Sequence, residues 1–91
     1  MLKFEWDPAK AASNLRKHGV TFDEAGSVFL DQLAVSGPDP DHSIGERRYV
    51  TFGISSLGRL LAVSHTHRPS MIRIISVRRA TSAERKIYEE G

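Results

Sequence analysis

Between Arg48 and Arg79 the chain reads as three alternating runs separated by breaks with room only for a turn, which leaves few folds open. In Arg48–Ser55, Val50, Phe52 and Ile54 alternate with Tyr49, Thr51 and Gly53. Leu57-Gly58 turns into Arg59–His67, and Arg68-Pro69-Ser70 turns into Met71–Arg79. Parallel pairing needs a long crossover, so strands this closely spaced form an antiparallel meander. Leu2 to Trp6 predicts a short first strand, with Leu2, Phe4 and Trp6 alternating against Lys3 and Glu5. Asp7 is placed to cap a helix that Pro8 opens, and Gly19 to end it after Lys17 or His18. Ala12 and Leu15 make its thin apolar stripe, with Lys10, Asn14, Lys17 and His18 on a polar side. Thr21 and Glu24 form a capping-box pattern for a second helix, reaching Leu30-Asp31, whose Phe22, Ala25, Gly26 and Phe29 face the core. Leu33 to Val35 reads as a brief extended piece, and Gly37–Glu46 as the one real loop. Thr81 and Glu84 cap a final helix to Glu90, with Ala80, Ala83 and Ile87 on its buried side. The order predicts one α+β domain over residues 1–91: a small, mostly antiparallel sheet with helices packed on one face.

Composition sets the outer bounds. Ninety-one residues suffice for one small core. No cysteine is present, which excludes disulfide staples and thiolate metal sites. The longest clear apolar run, Leu60-Leu61-Ala62-Val63, falls far short of a membrane span, and the first residues lack the hydrophobic stretch of a signal peptide. A soluble, cytoplasmic protein without membrane contact is the expectation.

The net charge of +2 hides a strong asymmetry. Residues 1–46 hold four basic groups against eight acidic ones. Residues 47–83 hold seven arginines and no Asp, Glu or Lys. Arginine threaded through strand-like sequence suits forked recognition of phosphate, and charge asymmetry within one domain points to nucleic acid. The alternative is that arginine stems cover sheet surface while their heads stay in water. The loop GPDPDHSIGE is acidic where the next segment is basic, so it either folds over that segment or is a solvated connector.

Strand alternation decides which side chains can meet. On Arg59–Arg68, Leu61, Val63, His65 and His67 share one face. On Met71–Arg79, Arg73, Ile75, Val77 and Arg79 share one face, and the short turn brings His65 and His67 near Met71, Ile72 and Arg73. Two imidazoles beside a guanidinium suit ribonucleolytic cleavage. A base removes the 2′-hydroxyl proton, an acid protonates the leaving oxygen, and fixed cations steady the charged phosphorane. Nearby Arg would lower a histidine from about 6.5 towards a usable neutral base. A metal pair at His65 and His67 is a second reading, with no carboxylate nearby in sequence to complete it. Histidines that merely pack and hydrogen-bond are a third. Lys10, Lys17 and His18 form a further basic set on the first helix, which also reads as a plain solvated face. Trp6, Tyr49 and Tyr88 could stack on bases, although Trp6 fits the core. Asp39 and Asp41 read as turn residues rather than a catalytic pair.

The segments FEWDPAKAASNLRKHGVTFDEA (Phe4–Ala25), DPDHS (Asp39–Ser43) and IRIISVRRATSAERKIYE (Ile72–Glu89) resemble the BrnT family of type II toxin–antitoxin modules across nearly the whole chain. The resemblance implies a RelE-like fold and a metal-independent, cofactor-free endoribonuclease that arrests growth by cleaving RNA. It also implies a BrnA-like antitoxin with a ribbon-helix-helix part, through which the complex reaches operator DNA. Lys17, His18, Arg73, Arg78 and Arg79 fall within the shared motifs, while His65 and His67 lie outside them. The resulting catalytic candidates are Lys17, His18, His65, Arg73 and Arg79, and the RNA-binding candidates are Arg48, Arg59, Arg78 and Tyr88. The rival is a non-catalytic module that binds nucleic acid or only a protein.

Overall fold

Three helices and a five-stranded sheet make up the computed structural model, which describes residues 2–40 and 46–91. Asp41 and the His42-Ser43 part of the DPDHS motif lie outside the described residues. Strand β1 (Phe4–Glu5) leads into helix α1 (Pro8–His18) and helix α2 (Phe22–Ser27), the latter continued by a 3-10 turn at Val28–Leu30. Strands β2 (Val35–Pro38), β3 (Tyr49–Ile54), β4 (Leu60–His67) and β5 (Ile72–Arg79) follow, then helix α3 (Ser82–Glu90). No helix among the described residues is long and apolar enough to cross a membrane.

The caps act where the sequence placed them. Asp7 accepts a hydrogen bond from the Ala9 N–H at 2.8 Å, and Pro8 occupies the first turn, where its missing N–H costs nothing. Gly19 ends α1 at φ 70°, a left-handed conformation that glycine adopts without strain. Thr21 accepts from the Glu24 N–H at 3.0 Å, but the Glu24 carboxylate leaves the box and turns elsewhere. At α3 the capping box between Thr81 and Glu84 is complete.

The strand order is β1-β5-β4-β3-β2, antiparallel throughout except for the parallel β1–β5 pair. The expected meander is β3-β4-β5. The brief extended piece begins at Val35 rather than Leu33 and takes Gly37 and Pro38 from the loop. Pro38 is tolerated because β2 is an edge strand, where one missing donor is harmless.

A bulge changes which β5 residues share a face. His65 pairs with Ile74 while Ser64 pairs with Ser76, so Ile75 is the extra residue. Ile74 and Val77 consequently both enter the core, three positions apart. Arg73 therefore stands on the face of Ser76 and Arg78, opposite Arg79, which corrects the shared face that strict alternation predicts.

The core lies between one sheet face and the first two helices: Leu61, Val63, Ile74 and Val77 meet Val20, Phe22, Ala25 and Val28. The inward side of α1 carries Ala11 and the buried Asn14, while Ala12 and Leu15 face water, a rotation from the stripe the sequence suggests. Helix α3 lies against the other face, so the helices of this α+β fold cover both sides of the sheet and not the single side that the sequence suggests. Its Glu84 and Ile87 border a cavity with Val50, Phe52, Ser64 and Arg78, and it buries no residue fully. The expected buried side of α3 is also rotated: Ala83 is exposed and Ile87 half-open, whereas Glu84 and Tyr88 turn inward towards Arg78 and Asp31.

Asp31 fixes the exit from the 3-10 turn. One carboxylate oxygen accepts from the Ile54 N–H at 2.8 Å and the Tyr88 hydroxyl at 2.7 Å, the other from the Leu33 N–H at 2.9 Å. This places the turn directly on β3 at Gly53. A Cβ on Gly53 would meet Val28 Cγ1 at 2.7 Å and Ala34 Cβ at 3.2 Å. Gly53→Ala is expected to destabilise the fold by about 1–3 kcal/mol, read as a lowered urea midpoint, because the core must shift to admit one methyl group.

Candidate functional site

Asn14 determines where the basic end of α1 lies. Its amide nitrogen donates to the carbonyls of Val77 (2.9 Å) and Val20 (3.1 Å), and its oxygen accepts from the Val77 N–H (3.0 Å). One helical turn later come Lys17 and His18, both exposed, on the side of α1 that faces β5. Two residues beyond Val77, on the same sheet face, is Arg79, also exposed. Arg59 closes the group from the start of β4: its guanidinium donates to the Gly19 carbonyl at 3.3 Å, just past His18.

Glu24 anchors this end from below. Arg59 grips it with two donors, Nε at 2.8 Å from Oε2 and Nη2 on Oε1, while the Ser55 hydroxyl donates to Oε2 at 2.7 Å. The carboxyl is buried, yet Arg59 holds it below the usual carboxylate range, with Ser55 and the charge of Arg79 acting in the same direction. Arg59 and Arg79 thus act on one buried carboxylate, and Arg59 ties it to Gly19, at the end of the helix that carries Lys17 and His18.

The other candidates lie elsewhere. Arg73 sits on the opposite face, about 20 Å along β5 from Arg79 at the rise of a strand. It reaches Glu5 at 3.7 Å, and Arg68 bridges Glu5 and Glu46 beside it. Arg78 makes a forked pair with Glu84 at 2.7 and 2.8 Å, which lowers the Glu84 carboxyl to about 2. Tyr88 spends its hydroxyl on Asp31. Arg48 is half-buried, its carbonyl accepting from the Asp39 N–H. Much of the sequence asymmetry is therefore answered internally: Arg59, Arg68, Arg73 and Arg78 each contact a carboxylate from another part of the chain.

His65 is 1% exposed, in the core beneath Phe29 and Tyr49, so no polymer reaches its ring while the sheet is closed. Its Nε2 shares a 2.7 Å hydrogen bond with Thr51, whose hydroxyl meets Ser36 at 2.6 Å. Burial, then the neighbouring His67, lowers its pKa to about 4, so the cause is desolvation rather than the arginine that the sequence suggests. The folded protein keeps this imidazole neutral while the unfolded chain protonates near 6.5. The His65 contribution to stability should therefore be lost as pH drops from about 6.5 to about 4, by roughly 3 kcal/mol, while the depressed Glu84 and Glu24 carboxyls lower stability further below that. Urea midpoints at pH 7 and pH 4 check this, and His65→Leu should flatten the difference. No group of three or more His, Cys, Asp or Glu able to hold a metal ion occurs among the described residues.

Residues 6–84 match the family model for the BrnT ribonuclease toxin of type II toxin–antitoxin systems. The chain belongs to the BrnT family. Its fold is also that of the 1.1 Å crystal structure of the Brucella abortus ribonuclease toxin BrnT, with a TM-score of 0.66 and 25% identity over 90% of this chain and 100% of that one. No match is found among curated proteins.

Two residues of this BrnT-family chain matter more than the sequence signals. Asn14 reads as one more polar position on α1, yet it docks the helix that carries Lys17 and His18. Glu24 reads as a capping-box carboxylate, yet it binds Arg59. The one available hint for Glu24 was its placement between apolar Phe22 and Ala25, on a helix face turned to the core.

Proposed function

We propose that this BrnT-family protein is a metal-independent endoribonuclease acting in the cytoplasm, with its active site at the C-terminal end of α1. His18 exchanges protons with the 2′-hydroxyl or the leaving oxygen, and Lys17 and Arg79 steady the charge that builds on the phosphorane. Arg59 acts as a positioning residue, fixed by Glu24 and bound to the last carbonyl of the α1 turn. The observation that supports this reading is the chain of contacts from Glu24 through Arg59 to Gly19, at the end of the helix that carries Lys17 and His18, with the charge of Arg79 acting on the same carboxylate. Arg48, Arg73 and Arg78 would meet phosphates further along the RNA from the opposite sheet face, with Tyr88 at their margin. Growth arrest would follow from RNA loss. Neutralisation would come from a BrnA-like ribbon-helix-helix antitoxin covering the basic end, and the pair would reach operator DNA through the antitoxin.

The purified protein is expected to cut RNA in excess EDTA and leave 2′,3′-cyclic phosphate or 3′-phosphate ends. Strict dependence on added Mg²⁺ would overturn the metal-independent mechanism. A non-catalytic binding module is the second reading, favoured by the internal carboxylate partners of Arg59, Arg68, Arg73 and Arg78. RNA that stays whole under every ionic condition while still binding the protein would select it.

A further inference from the structure

At the end of β4 away from Arg59, three rings gather. Tyr49 pairs with His65 across the strands, and His67 follows two residues on, so all three point to the same face. His67 lies 4.8 Å from Tyr49 and 5.1 Å from His65, with ring planes 32° and 17° apart. Only His67 is exposed; Tyr49 is half-buried and His65 closed in. The three rings wall a cavity of about 450 Å³, completed by Phe29, Pro38 and Ile72. His67 and Ile72 also wall a second cavity of about 270 Å³, lined as well by Lys3 and by Arg68, whose guanidinium pairs with Glu5 and Glu46 at the surface. An aromatic slot therefore opens beside two cations.

The chemistry of the two cavities together selects the occupant. A purely apolar ligand would gain nothing from Lys3 and Arg68, and a free phosphate would gain nothing from the rings. A nucleotide uses both, its base against an aromatic face and its phosphate on the cations. We infer that this end of the sheet is a nucleotide subsite of the RNA substrate, with the base stacked on His67 and Tyr49 and the phosphate held by Lys3, beside an Arg68 that a phosphate would draw from its exposed pairs with Glu5 and Glu46. This rests on the ribonuclease reading and extends it. Eight residues of β4 separate His67 from the proposed scissile site, about 25 Å at the rise of a strand. The subsite therefore reads a base several nucleotides from the cut and confers sequence preference at that position.

The test uses the full chain and a pool of random-sequence RNA, with cleavage positions read by sequencing. A parallel titration uses fluorescently labelled 2′-O-methyl oligonucleotides, which cannot be cut, followed by fluorescence anisotropy. Wild type should show a base preference at one position remote from the cut. His67→Ala should flatten that preference and weaken the oligonucleotides about five- to hundredfold. Lys3→Ala should reduce the salt dependence of binding by about 0.7 in the log–log slope. His67 and Lys3 are exposed, so both variants keep the fold, which the thermal midpoint verifies. An active enzyme with an unchanged cleavage profile and unchanged affinity in both variants overturns the subsite alone. Oligonucleotide binding lost in His67→Ala, from a wild type that cuts no RNA, supports the subsite and overturns the ribonuclease reading instead.

Discussion

His18→Ala is expected to slow RNA cleavage at least a hundredfold with the fold intact. His18 is exposed, so the substitution should shift stability by less than about 0.5 kcal/mol. Removing a general acid or base that is in reach of the reacting oxygens costs about 10²–10⁴ in rate. Arg79→Ala should produce a loss of similar order by withdrawing fixed positive charge from the phosphorane. It should also leave the Arg59–Glu24 pair in place, because the Glu24 carboxylate accepts its hydrogen bonds from Arg59 and Ser55. Arg73→Ala is the informative comparison. It lies on the opposite face and far along β5, so it should weaken RNA binding and its salt dependence rather than the rate at saturation. The measurement is single-turnover cleavage of a labelled RNA, alongside antitoxin binding as a check on folding. If Arg73→Ala abolished turnover while His18→Ala and Arg79→Ala cut at full rate, the active site would belong at the Glu5 end of the sheet.

The meander, its turns and the helix caps were legible because each is a local rule. Leu57-Gly58 and Arg68-Pro69-Ser70 are too short to connect parallel strands, and Asp7-Pro8 and Gly19 bracket α1 by backbone chemistry alone. What was not legible depends on non-local pairing. The parity of β5 turns on Ile75 finding no partner, and no property of Ile75 itself announces this. Alternation counted from Arg79 therefore put Arg73 on the wrong face. The basic stretch looked uniformly available because its carboxylate partners, Glu5, Glu24, Glu46 and Glu84, lie outside it in sequence. His65 and His67 differ in the same way. They are two residues apart on one face, but only β3, β2 and the 3-10 turn decide that the first is sealed and the second open. The residues alone pointed to His65, His67 and Arg73, and only the resemblance to a family motif drew attention to Lys17, His18 and Arg79. The docking of the helix that carries Lys17 and His18 was not legible, because it runs through one side-chain amide.

That amide supplies the largest stability effect expected here. Asn14→Ala should destabilise the protein by about 4 kcal/mol. Asn14 is 7% exposed and satisfies three backbone groups: the Val77 N–H, the Val77 carbonyl and the Val20 carbonyl. Each group left buried without a partner costs about 1–3 kcal/mol, and the lower half of that range applies because a water can enter the space the amide vacates. Asn14→Asp separates hydrogen bonding from shape. It keeps the acceptor for the Val77 N–H but presents oxygen to two carbonyls, so it should cost as much as alanine or more at neutral pH. Because Asn14 also holds Lys17 and His18 over the end of β5, the loss should not stay confined to stability. At a temperature where Asn14→Ala remains folded, cleavage should still fall by tenfold or more, as α1 loses its register on Val77. A folded Asn14→Ala protein with wild-type cleavage would mean that Lys17 and His18 do not need Arg79 beside them, and the shared site would dissolve into separate surface charges.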